Sequence, residues 1–508
     1  MKKGLTALFL CAIMTVCCGC TSWEDTGVLD ELSQFYRQEN EEQEPSPLTA
    51  FTLPYVAGET LDPVSTTDSV QQTVGALLYE GLFALNEGFE PEPVLAEGYT
   101  YDSERMVYTI SLRPDAAFSD GSPVTAQDVA DTLRRAMVSQ RYGARLSCVS
   151  SVGAVNGQVV LYLSRDVATL ACRLDIPIVK SGTEGNTAPV GSGPYVFTRE
   201  ENGTCLTANS QWWQGKALPL ERIELLHCKD QDSALYAFSS REVQLLSLDL
   251  TGTAVTAVSI SGDYTDAPTT VMQFIGINTR REALADTALR QALSSGIDRE
   301  ALVSSCLLGH GQATSLPISP AAGDYDGSLE TAYDATGYRS KIQSLLGEDE
   351  MLSLTLLVNQ ENSFKVTAAQ EVAFQLSTEQ LTVTVEALPW EQFMERLYYG
   401  EFDLYYGECR LTADWDVTAL AATGGTLNYG GYENEVTDGL LAAALRTGSS
   451  RTAALEALHR HLTENVPFLP LCFKSDSVLV TEGVVTGLLP TETDPFRCMW
   501  GWTVNLDA

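Results

Sequence analysis

The chain has 508 residues, 67 acids against 31 bases for a formal net charge of −36, and 44% hydrophobic residues. That length exceeds what one hydrophobic core supports and predicts at least two domains. So acidic a body argues against nucleic acid or anionic lipid as a partner, because phosphate contacts need clustered Lys and Arg.

At the N-terminus, Lys2 and Lys3 precede an apolar stretch from Leu5 to Val16 and small residues before Cys20. This order reads as an export signal ending in lipidation of Cys20. About twelve apolar residues are too few for a transmembrane anchor, and no later run approaches the roughly 20 that span a bilayer. Cys17 and Cys18 stand where an aliphatic and a small residue are usual, which leaves Cys18 as the rival lipidation site. Residues 21–50 carry eight acids and one base, Arg37, and are expected to form a solvated tether, with a helical turn or two open to Val28–Phe35.

Further on, Tyr108, Ile110 and Leu112 alternate with Val107, Thr109 and Ser111, a strand with one better-buried face. Arg113 and Pro114 end it, and Asp120-Gly121 supply a turn. Thr125 can cap the following helix with Asp128 three residues on, and Val129, Leu133 and Met137 recur at helical spacing. Around this run lie LLYEGLF (Leu77–Phe83), PEPVLAEGY (Pro91–Tyr99), GSGPYVF (Gly191–Phe197), ANSQWWQGKAL (Ala208–Leu218) and an Asn278–Val303 block containing RQALSSGIDREAL. Trp212 and Trp213 in the fourth of these read as packing residues.

Catalytic chemistry finds little support. The four histidines are His227, His310, His459 and His461, and no G-x-S-x-G, H-E-x-x-H or Walker-type loop is present. His459 and His461 are two apart in a helical stretch and do not share a face. Of twelve cysteines, eight follow residue 20 without a C-x-x-C. Cys205 with Cys228, or Cys148 with Cys172, are the local candidates for bridges, and buried free thiols are the stronger expectation. Neither a metal nor a cofactor is expected.

Taken together and in this order, the blocks resemble the extracellular solute-binding proteins of family 5, the peptide and nickel receptors of bacterial ABC importers. The resemblance implies an α/β fold, two-lobed and like the type II periplasmic binding proteins, with an extra domain inserted in the first lobe. Residues 51–75, 185–268 and 474–508 would then build lobe I, 76–184 the inserted domain and 269–473 lobe II. Crossings near 269 and 474 would form a hinge.

The same resemblance places the ligand. Tyr142 matches a ligand-contacting tyrosine and Trp390 a cleft tryptophan. Phe402–Arg410, with Tyr406, Gly407, Glu408, Cys409 and Arg410, matches a strand whose edge pairs with a peptide backbone, and Asp414 matches the aspartate that holds the peptide ammonium. Trp415 falls beside the crevice, and Asp416 is next in line for the ammonium. The residue types suit these roles, since a strand edge matches alternating peptide donors and acceptors and a buried carboxylate compensates an ammonium. ADWDVTAL (Ala413–Leu420) departs from the family pattern by lacking its proline and by following an inserted RLT. The implied function is a monomeric, lipid-anchored receptor that passes peptide to an ABC permease and ATPase. A nickel chelate or other small polar solute, or a sensing role without transport, are the alternatives.

Overall fold

A computed structural model describes residues 48–201, 203–252, 262–347, 350–446 and 451–507. The expected signal, Cys20 and nearly all of the acidic tether lie outside the described residues.

The run that opened the resemblance folds as its residue order suggests. Val107–Leu112 is an inner strand of a four-stranded antiparallel sheet, flanked by Ala96–Asp102 and Gln158–Leu163, with Val149–Val155 at the far edge. Tyr108 and Ile110 are fully buried beneath Val129, Ala130 and Leu133 of the helix Ala126–Met137. That helix starts at a capping box: the Asp128 N–H donates to Thr125 Oγ1 at 3.3 Å, and the Thr125 N–H donates to Asp128 Oδ2 at 3.0 Å. Arg134 and Arg135 in its last turn complement the helix dipole.

A second sheet of four strands joins Thr52–Tyr55, parallel to Arg222–His227, with Gly203–Ala208 and Tyr195–Glu200. The third and largest sheet has seven strands. Its spine is a pair of long antiparallel strands, Asp263–Ile277 and Phe468–Val480, in register from Asp263 opposite Val480 to Gly276 opposite Phe468. The register shifts between Pro268 and Met272, and again between Gln273 and Phe274. Proline has no N–H to give the ladder, so an irregularity beside Pro268 follows from the sequence.

Leu404–Arg410 lies against Asp263–Ile277 through its whole length. Gly407 stands opposite Phe274 and Gly276 opposite Tyr405, so each aromatic ring covers a glycine on the neighbouring strand. A Cβ on Gly407 would meet Phe274 Cζ at 2.5 Å, which explains why the position has no side chain. One face of this sheet is covered by Leu289, Leu293, Leu302, Val372 and their neighbours, the other by Phe393, Leu397, Leu455 and Leu458. Two separate apolar cores on one rigid sheet leave the loops at its rim free to border a cavity.

Candidate ligand cavity

A cavity of about 1940 Å³, far above the roughly 300–1,000 Å³ typical of small-molecule sites, is bordered by strand ends of the largest sheet and by loops between the other elements. Its walls come from segments distant in sequence. Residues near 61–94 and 113–177 form one side, Cys409–Leu427 another, and Asp476 with Glu492–Trp500 a third.

Of the residues singled out from the sequence, Tyr142, Cys409 and Arg410 line this cavity. Tyr142 follows the capped helix and is buried, with the Arg141 guanidinium 4.9 Å from its ring centre. On its second edge, Leu404–Arg410 is matched only at Leu404 and Tyr405, by Leu356 and Leu357. From Tyr406 onward that edge carries no strand among the described residues, and the chain continues along the cavity wall as Cys409 to Ala413. Burial pushes the Cys409 thiol up to about 12, so it stays protonated at neutral pH. Arg410 forms an ion pair with Glu492, and that carboxylate also accepts the Thr270 N–H at 2.9 Å.

The other singled-out residues, Asp416 apart, are not brought to the cavity. Tyr406 is buried in the sheet, where its hydroxyl donates to Gln273 Oε1 at 2.5 Å, and Gly407 is covered by Phe274. Glu408 accepts from Gln273 Nε2 at 3.0 Å and lies 3.2 Å from Lys365 Nζ and 3.6 Å from Lys474 Nζ. Burial works to raise its pKa, but the two ammonium groups hold the carboxyl below its ordinary value. Trp390, 54% exposed, begins the helix Trp390–Tyr399 with its ring leaning on Phe393 at 5.9 Å. A tryptophan at the first turn of an amphipathic helix faces outward here because Phe393 and Leu397 already fill the buried stripe. Trp415, in left-handed backbone at φ 60°, is buried edge-on between Phe89 and Phe473 at 5.0 and 5.5 Å.

Asp414 has the most crowded surroundings of all. Its Oδ2 accepts from Thr169 Oγ1 at 2.6 Å and from Arg173 Nε and Nη2 at 2.9 and 2.7 Å, while Oδ1 accepts from Thr412 Oγ1 at 2.5 Å. Asp416 does line the cavity, yet it too is paired, with Arg173 at 3.0 Å and Arg165 at 2.9 Å. Burial opposes ionisation of Asp416, but Arg173, the Thr418 N–H and Arg165 outweigh it and hold the carboxyl far below the ordinary range.

Two groups of cavity residues escaped the sequence reading. Trp212 and Trp213, read as packing residues, both border the cavity, and both indole N–H groups donate to Glu80, at 3.2 and 2.6 Å. Gln214 Nε2 adds a third donor at 2.7 Å. Burial raises the Glu80 pKa while these donors pull the other way. The signal for this cluster was a lone acid inside the apolar run LLYEGLF. Arg173 is the other, and its signal was likewise a lone base in an apolar stretch, ACRLDIPIV.

Residues 90–429, more than half of the chain, match the family described as bacterial extracellular solute-binding proteins, family 5 (middle). The chain belongs to that family. Among curated relatives, the glutathione-binding protein GsiB of Salmonella typhi is 23% identical over 446 residues, covering 81% of this chain and 86% of the relative. Among solved structures, the ABC transporter substrate-binding protein CtaP of Listeria monocytogenes superposes with a TM-score of 0.72 at 18% identity, over 90% of this chain and 99% of that one. The oligopeptide-binding protein AppA of Bacillus subtilis, solved with a nonapeptide, gives 0.61 at 20% identity, over 91% and 100%. The fold is therefore the two-lobed one of periplasmic binding proteins. As a member of this family the chain is an extracytoplasmic solute-binding protein of an ABC importer and not an enzyme. Among the described residues no helix is long and apolar enough to cross a membrane.

Proposed function

We propose that this chain is the lipid-anchored receptor of an ABC importer for peptides, which it captures in the cavity and delivers to a membrane permease. The observation that carries the reading is the Leu404–Arg410 strand, whose second edge is unpaired beyond Tyr405 among the described residues and whose end runs into the cavity wall. An extended peptide laid there would continue the sheet, its alternating N–H and C=O groups matched by backbone rather than by side chains. The size of the cavity and its aromatic walls, Tyr142, Trp212 and Trp213, suit a ligand of several residues with varied side chains. Closure would bend the two long strands where their register is broken, near Pro268–Met272 and the facing Phe473–Ser475, close to the expected crossings at 269 and 474. Cys20 would tether the body to the membrane, and the soluble body would act as a monomer.

A thermal-shift screen of the body from Thr21 onward tests this against di- to octapeptides, glutathione, nickel chelates and simple sugars. A ligand at about 100 times its Kd stabilises the native state by about 2.7 kcal/mol. A shift with peptides supports the reading; a shift with a chelate or sugar alone, or none with any peptide after stripping by denaturation and refolding, refutes it.

A further inference from the structure

We propose that the place where the family resemblance puts a ligand's ammonium is filled in this chain by its own Arg173 guanidinium, so that the site selects ligands whose corresponding end is N-blocked or anionic. The inference rests on the solute-binding reading and narrows its ligand class.

Asp414 is the residue that would hold the ammonium. Its side chain is fully buried, and its two oxygens already accept four hydrogen bonds from Arg173, Thr169 and Thr412. Oδ2 is saturated by three of these donors, and Oδ1, held by Thr412, lies on a side chain with no exposed surface and outside the cavity lining, so no ligand group reaches either oxygen. Arg173 is equally enclosed, 2% exposed, and extends the same guanidinium to Asp416 at 3.0 Å. Asp416 also takes the Arg165 guanidinium at 2.9 Å on Oδ2 and the Thr418 N–H at 3.0 Å on Oδ1. Two carboxylates and two guanidinium groups thus close a neutral cluster in which a third cation has no counter-charge. A ligand ammonium reaching Asp414 would have to break both Arg173 bonds to it and leave that buried guanidinium with only Asp416, which Arg165 already shares, a penalty of roughly two orders of magnitude in affinity.

What the cavity meets at this wall is guanidinium. Arg145, Arg165, Arg173 and Arg410 all border it, each tied to a carboxylate, on Asp175, Asp416, Asp414 and Glu492. Arg141 adds a fifth, held by the Pro63 carbonyl at 3.2 Å and with no carboxylate partner among the described residues. With the four paired guanidinium groups neutralised by their carboxylates, the group left uncompensated at this wall is the Arg141 guanidinium. A carboxylate or a neutral acyl cap meets no repulsion there, whereas an ammonium does.

The test uses the body from Thr21 onward with three probes, trialanine, N-acetyl-trialanine and N-succinyl-trialanine, by calorimetry, and chemical rescue of Arg173→Ala by methylguanidinium. We expect acetyl-trialanine to bind within about threefold of trialanine or more tightly, and succinyl-trialanine at least as tightly as the acetyl form. A tenfold preference for the free amine overturns the proposal. Arg173→Ala should melt well below the wild type and recover part of the loss in millimolar methylguanidinium, while Arg173→Lys, which keeps the charge, should lose less. If none of the three probes binds the wild type, trialanine-length peptides are refuted as ligands, and the occupied slot is then judged by rescue alone. Absence of rescue in a folded Arg173→Ala protein overturns it.

Discussion

Asp476 gives the sharpest quantitative test of the cavity's electrostatics. It lies on the long strand Phe468–Val480, borders the cavity and makes no side-chain hydrogen bond among the described residues. Burial lifts its pKa from the ordinary 3.8 to about 6, with Asp249 and Asp266 adding to the rise and Arg410 and Lys474 opposing it. A carboxyl whose folded pKa exceeds its unfolded one binds more protons when folded, so between pH 4 and 6 stability falls as pH rises. The gap is worth roughly 3 kcal/mol once both states are ionised, at about 1.36 kcal/mol per pH unit. Asp476→Asn removes the ionisation while keeping the shape. It should raise urea-unfolding stability by up to about 3 kcal/mol at pH 7.5 and by only about 0.5 kcal/mol at pH 4, where the wild-type group is already protonated. A variant less stable than wild type at pH 7.5, or a gain that does not shrink on acidification, would refute the account of Asp476 as a desolvated and uncompensated charge.

Other consequences follow from the same geometry. Asp414→Asn removes the charge that neutralises Arg173 and should cost about 3–5 kcal/mol, read as a lowered urea midpoint; a loss under about 1 kcal/mol would mean that Arg173 finds another partner. Gly407→Ala forces a methyl against the Phe274 ring and should destabilise by about 1–3 kcal/mol, read as a lowered urea midpoint; an unchanged midpoint would mean that the ring moves aside at no cost. Trp213→Phe keeps the ring but strips the 2.6 Å donor from Glu80, which should cost about 1–3 kcal/mol at pH 7.5 and less on acidification, as Glu80 takes up a proton.

How much of this was legible in the sequence depends on whether the partner lay close along the chain. The Thr125–Asp128 cap, the Val107–Leu112 alternation and the turn at Asp120-Gly121 are local, and the structure has each where the spacing put it. Family blocks in register carried the fold class, because their order encodes topology that no single segment does. The site was harder. Of the residues matched to the family, Tyr142 and the strand end Cys409–Arg410 border the cavity. Trp390 does not; whether a first-turn tryptophan faces a cleft or solvent depends on which neighbours fill the buried stripe, and here Phe393 and Leu397 do. Trp212 and Trp213 do pack, as read from the sequence, and also border the cavity: the same indole can pack on one face and line a cavity on the other, and composition weighs only the first.

Arg173 shows the general limit. Its partner Asp414 is 241 positions away, and nothing within either segment names the other. The Arg173 segment did display a lone base in a mostly apolar stretch, which is sustainable only with a counter-charge, whereas the Asp414 segment, with Arg410 and Asp416 close by, gave no such sign. Lys474, the one base in Phe468–Val480, repeats the pattern of Arg173. It is 4% exposed on the long strand beside the register break, paired with Asp249 on one side and 3.6 Å from Glu408 on the other, with Lys365 a further 3.2 Å from that carboxylate. Burial works against the Lys474 charge, yet Glu408 and Asp249 raise its pKa above the ordinary value, so the ion is held rather than shed. Arg173 with Asp414, both buried, and buried Lys474 with the more open Glu408 and Asp249 therefore form charge pairs between chain segments distant in sequence. A mostly hydrophobic contact would tolerate sliding there, whereas a paired charge tolerates one geometry, because leaving it exposes an unpaired ion to a low-dielectric interior. Lone bases in mostly apolar runs, as at Arg173 and Lys474, are thus positions from which the long-range geometry of this fold is best sought, even where their partners cannot be named in advance.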